Sequence, residues 1–320
     1  MPASSLGLLD NIRYSNGIQG LINYYRELLR CDLQKALDLI NDPGLRFCTL
    51  YVLKSEVSGS ETRGKLEPSY STALELAGKL SGEVSPRFEK EVRAAGGNTA
   101  ALLEWMFRTG LEEIEPDSEY ELIMERIACL LVKSCNNRSI LPELAELIFF
   151  RHRRGALIHE LAWAFFEARC VESLPLIAYR LDSPDIRDVR LAIKLLGFIP
   201  ADSMTYDKAM SWISGNRPFL YYTGESLHLD GRPQHYRVSL AAKYMCLPVS
   251  PDTGEPAVPL RDTGQELLVS FSKLSDSLQQ KLADFSWYLY RQDNYEWNRW
   301  IRLSFKEQAE RLNQMTGWLS

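Results

Sequence analysis

The chain lacks the short motifs that mark the commonest catalytic and cofactor sites. GxSxG, CxxC, HExxH and GxGxxG are all absent from its 320 residues. Their absence removes the usual sequence signs of a hydrolase serine, a thiol redox pair, a zinc protease and a dinucleotide-binding turn. Four histidines give little basis for a metal site. We therefore predict no catalytic, cofactor-binding or metal-binding residue, and we expect a non-enzymatic protein, with an enzyme kept as an alternative.

Long apolar runs are missing as well. No segment approaches the roughly 20 consecutive apolar residues that a membrane-spanning helix needs. Residues 1–17 lack the basic start and apolar stretch of a signal peptide. None of the six cysteines forms a CxxC pair, and several lie in apolar helical stretches, where a free cysteine packs as a small hydrophobic residue. These features predict a cytoplasmic protein with reduced thiols and no membrane partner.

The chain has no excess of positive charge. It carries 37 Lys and Arg against 42 Asp and Glu, a formal net charge of −5. Nucleic-acid binding usually needs a basic face, so this balance disfavours a nucleic-acid partner while leaving room for a local basic patch. The hydrophobic share of 45% and the charged share of 25% are ordinary for a globular chain. The length allows one elongated array or two domains.

What the chain does contain is a pair of short helices over residues 172–200. The first begins near Pro175 and carries apolar residues at helical spacing, namely Leu174, Ile177, Ala178 and Leu181. The segment Asp182-Ser183-Pro184-Asp185 ends this helix and caps the next one. The second helix is predicted to pack through one apolar side, made of Ile186, Val189, Ala192, Ile193 and Leu196. Gly197 and Pro200 end it.

This pair resembles a HEAT repeat. The family pattern is matched by Pro175 in the first helix, Asp182 in the turn, and Val189-Arg190, Ala192 and Leu196-Gly197 in the second helix. The resemblance implies an array in which each helix pair buries one face on its neighbours. Weaker matches occur at residues 32–53 and 141–168, and Leu141-Pro142 of the latter lies 33 residues before Leu174-Pro175. Residues 50–53 are also compatible with a strand.

The chain divides into three predicted parts. Residues 1–214 form the HEAT-like helical array, with a polar loop over 55–70. Residues 215–264 form an irregular segment rich in Pro and Gly, with a hairpin or an ordered loop around 227–231 and a helix over 236–244. Residues 265–320 form an aromatic-rich helical part that either caps the array or folds as an appendage. The predicted fold class is therefore all-α, a degenerate array of antiparallel helix pairs.

Two kinds of partial motif have simpler interpretations, a polar loop for the first and turns for the second. Residues 59–65 have the spacing of a phosphate-binding loop, but Leu66 occupies the position where Ser or Thr should bind Mg²⁺. Asp252-Thr253-Gly254 and Asp262-Thr263-Gly264 resemble the aspartic-protease motif, but no β-rich lobes surround them. Turn chemistry explains Asp and Gly at these positions more simply.

The densest basic cluster runs from Arg151 to Arg154. Arg151, Arg153 and Arg154 lie at a predicted inter-helix turn, where array proteins often contact partners. Some DNA glycosylases with HEAT-like arrays bind the phosphate backbone through such basic surfaces, which the resemblance makes an alternative for this chain. A solvated turn is the simpler interpretation of a short run of charges.

Aromatic residues near the C-terminus are the second candidate surface. Trp and Tyr favour interface hot spots, so Trp297 and Trp300 are candidate partner-binding residues. Their helical spacing with Ile301 favours burial instead.

The sequence as a whole predicts a protein-interaction or scaffolding module with a protein or peptide partner. Two alternatives stay open. One is a nucleic-acid-binding protein that uses the basic turn, and the other is an enzyme with a pocket formed by residues 215–264.

Overall fold

The chain is mostly helical. The computed structural model describes residues 6–59, 62, 64–83, 85–112, 116–201, 203–228, 230–258 and 262–314. These residues form eighteen α-helices and one two-stranded sheet, which confirms the all-α prediction. Within them, no helix is both long and apolar enough to cross a bilayer.

Contacts between Cα atoms divide the chain into two compact units. Unit 1 comprises Met1–Arg151 and Glu160–Ala168, and unit 2 comprises His152–His159 and Arg169–Ser320. The three-part division at residues 214 and 264 stays a prediction.

The described residues of unit 1 form ten helices, two of which extend into unit 2 by one or two residues. They are α1 (Leu8–Cys31), α2 (Leu33–Ile40), α3 (Phe47–Val52), α4 (Lys54–Val57), α5 (Pro68–Ser81), α6 (Pro86–Ala95), α7 (Gly97–Gly110), α8 (Ser118–Lys133), α9 (Leu141–Arg153) and α10 (His159–Glu167). Three helices begin at a side-chain cap, because Asp32, Ser85 and Asp117 each accept a hydrogen bond from the backbone N–H three residues later. Gly17, with φ of 72°, divides α1 into two helical segments.

Two local predictions in unit 1 are corrected. A strand over residues 50–53 is wrong, because Phe47–Val52 is helix α3 and its aromatic and aliphatic side chains are buried on both sides. The loop predicted over 55–70 is wrong at both ends, because α4 continues to Val57 and α5 begins at Pro68. Ser60, Glu61 and Arg63, part of the segment that resembles a phosphate-binding loop, lie outside the described residues.

An aromatic cluster fills the centre of unit 1. The ring of Tyr120 lies 5.8 Å from that of Phe47 and 4.8 Å from that of Tyr51. The Tyr120 hydroxyl donates a hydrogen bond of 2.7 Å to the carbonyl oxygen of Gly110. This short contact places the end of α7 directly against α8.

The close approach at Gly110 leads to a first prediction. A Cβ atom at this position would lie 2.7 Å from both the Met124 sulfur and the Tyr120 hydroxyl oxygen. We expect Gly110→Ala to lower the free energy of unfolding by about 1–3 kcal/mol, because overpacking displaces neighbouring side chains. Gly78→Ala on α5 is the matched control, since no atom lies within 4 Å of the added methyl and alanine favours a helix over glycine by about 1 kcal/mol. Urea denaturation of both variants would test the contrast, and equal stabilities would contradict it.

Unit 2 contains the remaining helices and the sheet. Its helices are α11 (Leu174–Ala178), α12 (Ile186–Leu195), α13 (Tyr206–Asn216), α14 (Leu240–Tyr244), α15 (Asp262–Phe271), α16 (Asp276–Gln292), α17 (Asn294–Trp300) and α18 (Phe305–Gln314). Strands β1 (Leu220–Tyr222) and β2 (Tyr236–Val238) pair antiparallel. The helix predicted over 236–244 is therefore wrong in its first part, and a helix begins only at Leu240.

The C-terminal helices of unit 2 enclose their own core. Its fully or nearly fully buried members are Tyr244, Phe271, Leu282, Ala283, Phe285 and Trp300. Gln308 lies inside this core and donates hydrogen bonds to the Tyr244 hydroxyl and to the Trp300 carbonyl oxygen. A buried amide is tolerated there because its polar atoms have hydrogen-bond partners.

Candidate functional site

The central helix pair folds where the sequence predicted helices. Its first member is α11, with Pro175 in the first turn, continued by a 3₁₀ turn over Tyr179–Asp182. A short turn leads to α12, whose N-terminus is capped because the Asp185 side chain accepts a 2.9 Å hydrogen bond from the backbone N–H of Arg187. Hydrogen bonds from the Arg187 guanidinium, together with the one from its backbone N–H, lower the pKa of Asp185 to about 2. The cap is therefore charged at neutral pH.

The orientation of α12 differs from the prediction. Its buried residues are Asp188, Leu191, Ala192 and Leu195. Ile186 and Ile193, predicted to pack inward, are 57% and 42% exposed. The predicted apolar side is therefore wrong at Ile186 and Ile193, although Ala192 and Leu196 are fully buried as predicted. Apolar residues cover more than half of the circumference of this helix, so spacing alone leaves two possible inward faces.

An ion pair lies on the buried side of α12. The Asp188 carboxylate is only 1% exposed. It accepts hydrogen bonds of 2.8 and 3.0 Å from Nη1 of Arg153 and one of 3.2 Å from the Ser183 hydroxyl. The Arg180 guanidinium lies 3.6 Å away. A carboxylate can be buried only with such partners, so the rotation that buries Leu191 and Leu195 also places Asp188 against Arg153.

The outward face of α12 has two halves. At about 100° per residue, Val189, Ile193 and Ile186 fall within an arc of about 60° on the helix circumference. Arg190, Lys194 and Arg187 fall within the adjacent arc, also about 60° wide. Arg190 and Lys194 are exposed, while the Arg187 guanidinium is bound to Asp185 and to the carbonyl oxygen of Arg153. We call these six residues the outward face of α12: an apolar stripe beside a basic one.

The predicted basic cluster is divided by the structure. Arg151 is 2% exposed, and its guanidinium donates a 2.7 Å hydrogen bond to the carbonyl oxygen of Glu121 and lies 3.6 Å from the Glu125 carboxylate. Arg153 holds Asp188 beneath α12. Arg154 is exposed. The three arginines therefore do not form one basic surface, and a partner-binding role for them stays a prediction.

The two candidate tryptophans belong to the C-terminal core of unit 2. Trp300 is 2% exposed, and its ring meets that of Phe285 edge-on at 4.8 Å. Trp297 is partly buried and donates its indole N–H to the Ser286 hydroxyl at 2.9 Å. Both indoles thus contribute to packing. Their role in partner binding also stays a prediction.

Two cavities bear on the enzyme alternative. In unit 1, a cavity of about 210 Å³ is lined in part by Tyr51, Lys54 and Glu119. The Glu119 carboxylate there accepts hydrogen bonds from the Tyr51 hydroxyl at 2.8 Å and from the Lys54 ammonium at 2.7 Å. In unit 2, a shallower cavity of about 470 Å³ lies between residues 199–201 and 207–212. Neither cavity includes a residue of 215–264, where the sequence placed a possible pocket.

Two of the four histidines lie close together. The structure places the exposed His159 and His228 rings 5.7 Å apart within unit 2. Across the part of the chain that the structure describes, no group of three or more His, Cys, Asp and Glu side chains is placed to bind a metal ion.

One feature of the sequence indicates that α12 has an exposed apolar face, although the spacing of its apolar residues does not show which side is exposed. Seven of the eleven residues from Ile186 to Leu196 are apolar, more than one side of so short a helix can bury. An excess of this kind predicts that part of the apolar surface faces outward. Exposed apolar surface of this sort is typical of interaction sites when it is contiguous.

Comparisons with known proteins find no relative: no family model matches the chain, and no curated protein or solved structure matches it either. A function has to be inferred from the side chains of this chain.

Proposed function

We propose that this protein is a non-enzymatic protein-interaction module and that the outward face of α12 binds a protein or peptide partner. The observation that carries this proposal is the exposure of Ile186 and Ile193 on one side of a helix whose opposite side is fixed by a buried ion pair. A rigid helix with two exposed isoleucines two turns apart offers a preformed surface, so little conformational entropy is lost on binding.

The HEAT-like arrangement is part of the same proposal. Within unit 2, α11 packs against α12 and against α13, so three consecutive helices are neighbours. This is the local pattern expected where one helix pair stacks on the next. The match of Pro175, Asp182 and Val189-Arg190 to the family pattern supports it. In such arrays one helix of each pair faces the surface that partners use, and we assign that role to α12.

The size of the expected effect follows from the exposed apolar area. Burying a whole isoleucine side chain stabilises a complex by about 1.5–3 kcal/mol. Ile186 and Ile193 are each about half exposed, so covering both contributes about 2 kcal/mol. A contribution of this size is typical of the few residues that dominate an interface.

Peptide selection on the full-length chain tests the proposal. Peptides from a displayed random library that bind the wild-type protein are expected to bind the double variant Ile186→Ser, Ile193→Ser about 30-fold more weakly. The matched control is Val258→Ser, Val269→Ser, which alters two equally exposed apolar residues elsewhere in unit 2 and is expected to leave binding unchanged. Equal binding to wild type and to the α12 variant, with both proteins folded, would refute the proposed site.

A further inference from the structure

We infer that the partner of α12 is an acidic amphipathic helix, an inference that rests on the proposed function and adds the chemistry of the ligand. The apolar stripe of the outward face is bordered along one side by Arg190, Lys194 and Arg187. A partner that covers Ile186 and Ile193 therefore brings its own flank against Arg190 and Lys194, while Arg187 is already bound to Asp185. Acidic side chains on that flank complement this charge, whereas basic ones are repelled.

The dimensions of α12 fit a helical ligand. Ile186 and Ile193 are seven residues apart, which places them about 10 Å apart along the helix axis. An amphipathic helix presents apolar residues at i, i+3, i+4 and i+7, so two of its turns cover the same distance. Arg190 and Lys194, one turn apart, then face acidic residues at a spacing of three or four on the partner.

The outward face of α12 differs in charge from the chain as a whole. The whole chain carries a formal net charge of −5, yet the outward face of α12 presents cations. The one acidic residue of α12, Asp188, is buried on the opposite side of the helix and is bound to Arg153. The local basic stripe repels a basic ligand and orients an acidic one at this helix, although the net charge of the chain does not favour acidic ligands elsewhere.

Two other anionic ligands fit the face less well. A membrane surface needs a broad apolar helix side that enters the lipid by about 5–10 Å, and the apolar arc here is about 60° wide. Nucleic-acid affinity comes from many phosphate contacts made by Lys and Arg, and this helix offers three cations, of which Arg187 is held by Asp185. The exposed isoleucines add nothing to phosphate binding.

The experiment is a parallel peptide selection on the full-length wild-type chain and on the charge-reversed variant Arg190→Glu, Lys194→Glu. From wild type, we expect helical peptides enriched in Asp and Glu beside apolar residues spaced three or four apart. From the variant, we expect the charge preference to reverse. A recovered acidic peptide should bind the charge-reversed variant about tenfold more weakly than wild type, and added salt should shrink this difference.

The outcomes separate the inference from the proposed function. Peptides that depend on Ile186 and Ile193 but show no charge bias, on either protein, overturn the acidic partner and leave the interaction site standing. Peptides that bind independently of both isoleucines overturn the proposed function itself. Two further probes are duplex DNA and vesicles of phosphatidylcholine with phosphatidylserine. Binding of either one through Arg190 and Lys194, without any acidic peptide being selected, also overturns the inference.

Discussion

Replacing Arg153 with methionine is expected to lower the free energy of unfolding by about 3 kcal/mol. The substitution keeps an unbranched apolar side chain but removes the cation from Asp188. That carboxylate is 2% exposed as a side chain and would retain only Ser183 and the more distant Arg180 guanidinium. Leaving a buried charge poorly compensated is more costly than losing the pair altogether. Urea denaturation followed by circular dichroism measures the change.

Two further variants make this test specific. In the double variant Arg153→Met, Asp188→Leu, the buried charge is gone, so we expect it to recover most of the lost stability. Arg154→Met removes the exposed neighbouring cation and is expected to cost less than about 1 kcal/mol. If Arg153→Met instead left stability unchanged but abolished peptide binding, Arg153 would be a partner-binding residue, as its place in the basic cluster first suggested.

The helices of the central pair could be predicted because their signals are local. Pro175 lies in the first turn of α11, and Asp185 caps α12 through a backbone N–H two residues away. The burial of Trp300 could be predicted in the same way, because helical spacing with Ile301 placed it on an inward side. Signals within one or two turns of a helix require no knowledge of the rest of the chain.

The exposed side of α12 could not be predicted, because a distant residue takes part in fixing it. Asp188 pairs with Arg153, which lies 35 residues earlier in the sequence. Both are charged, so a search for apolar periodicity assigns both to the surface. Once they pair, Asp188 moves inward, and Ile186 and Ile193 on the opposite side become exposed. The position of the helix was predicted correctly. The candidate site was missed because the contact between Asp188 and Arg153 could not be predicted from apolar spacing.

Strand β2, in the segment predicted to be irregular, also depends on a contact with residues distant in the sequence. Tyr236–Val238 pairs with Leu220–Tyr222 in an antiparallel register in which Tyr222 lies opposite Tyr236. The residues of β2 continue directly into α14, so the local sequence favoured one longer helix. Pairing with a strand more than ten residues away decided the outcome, because the ladder gives the backbone groups of both segments hydrogen-bond partners.

Lowering the pH is expected to destabilise the protein through His235, which immediately precedes β2. Its imidazole is 1% exposed, and its Nδ1 lies 3.0 Å from the carbonyl oxygen of Glu225. A carbonyl oxygen can only accept, so Nδ1 carries the proton and donates it. Burial lowers the pKa of His235 to about 4, against an ordinary value of 6.5. In the folded protein the ring stays neutral down to about pH 4, while in the unfolded chain it gains a proton near pH 6.5.

The sign of the effect follows from this difference. The unfolded state binds more protons between pH 6.5 and 4, so stability is complete above pH 6.5 and is lost as the pH falls towards 4. The loss amounts to about 3 kcal/mol. Urea denaturation across this range should show a slope that His235→Gln flattens. Burial also lowers the pKa of His152, so a smaller slope of the same sign remains in His235→Gln. An unchanged slope in that variant would mean that His235 is accessible to protons in the folded state, and that the segment before β2 is not packed as described.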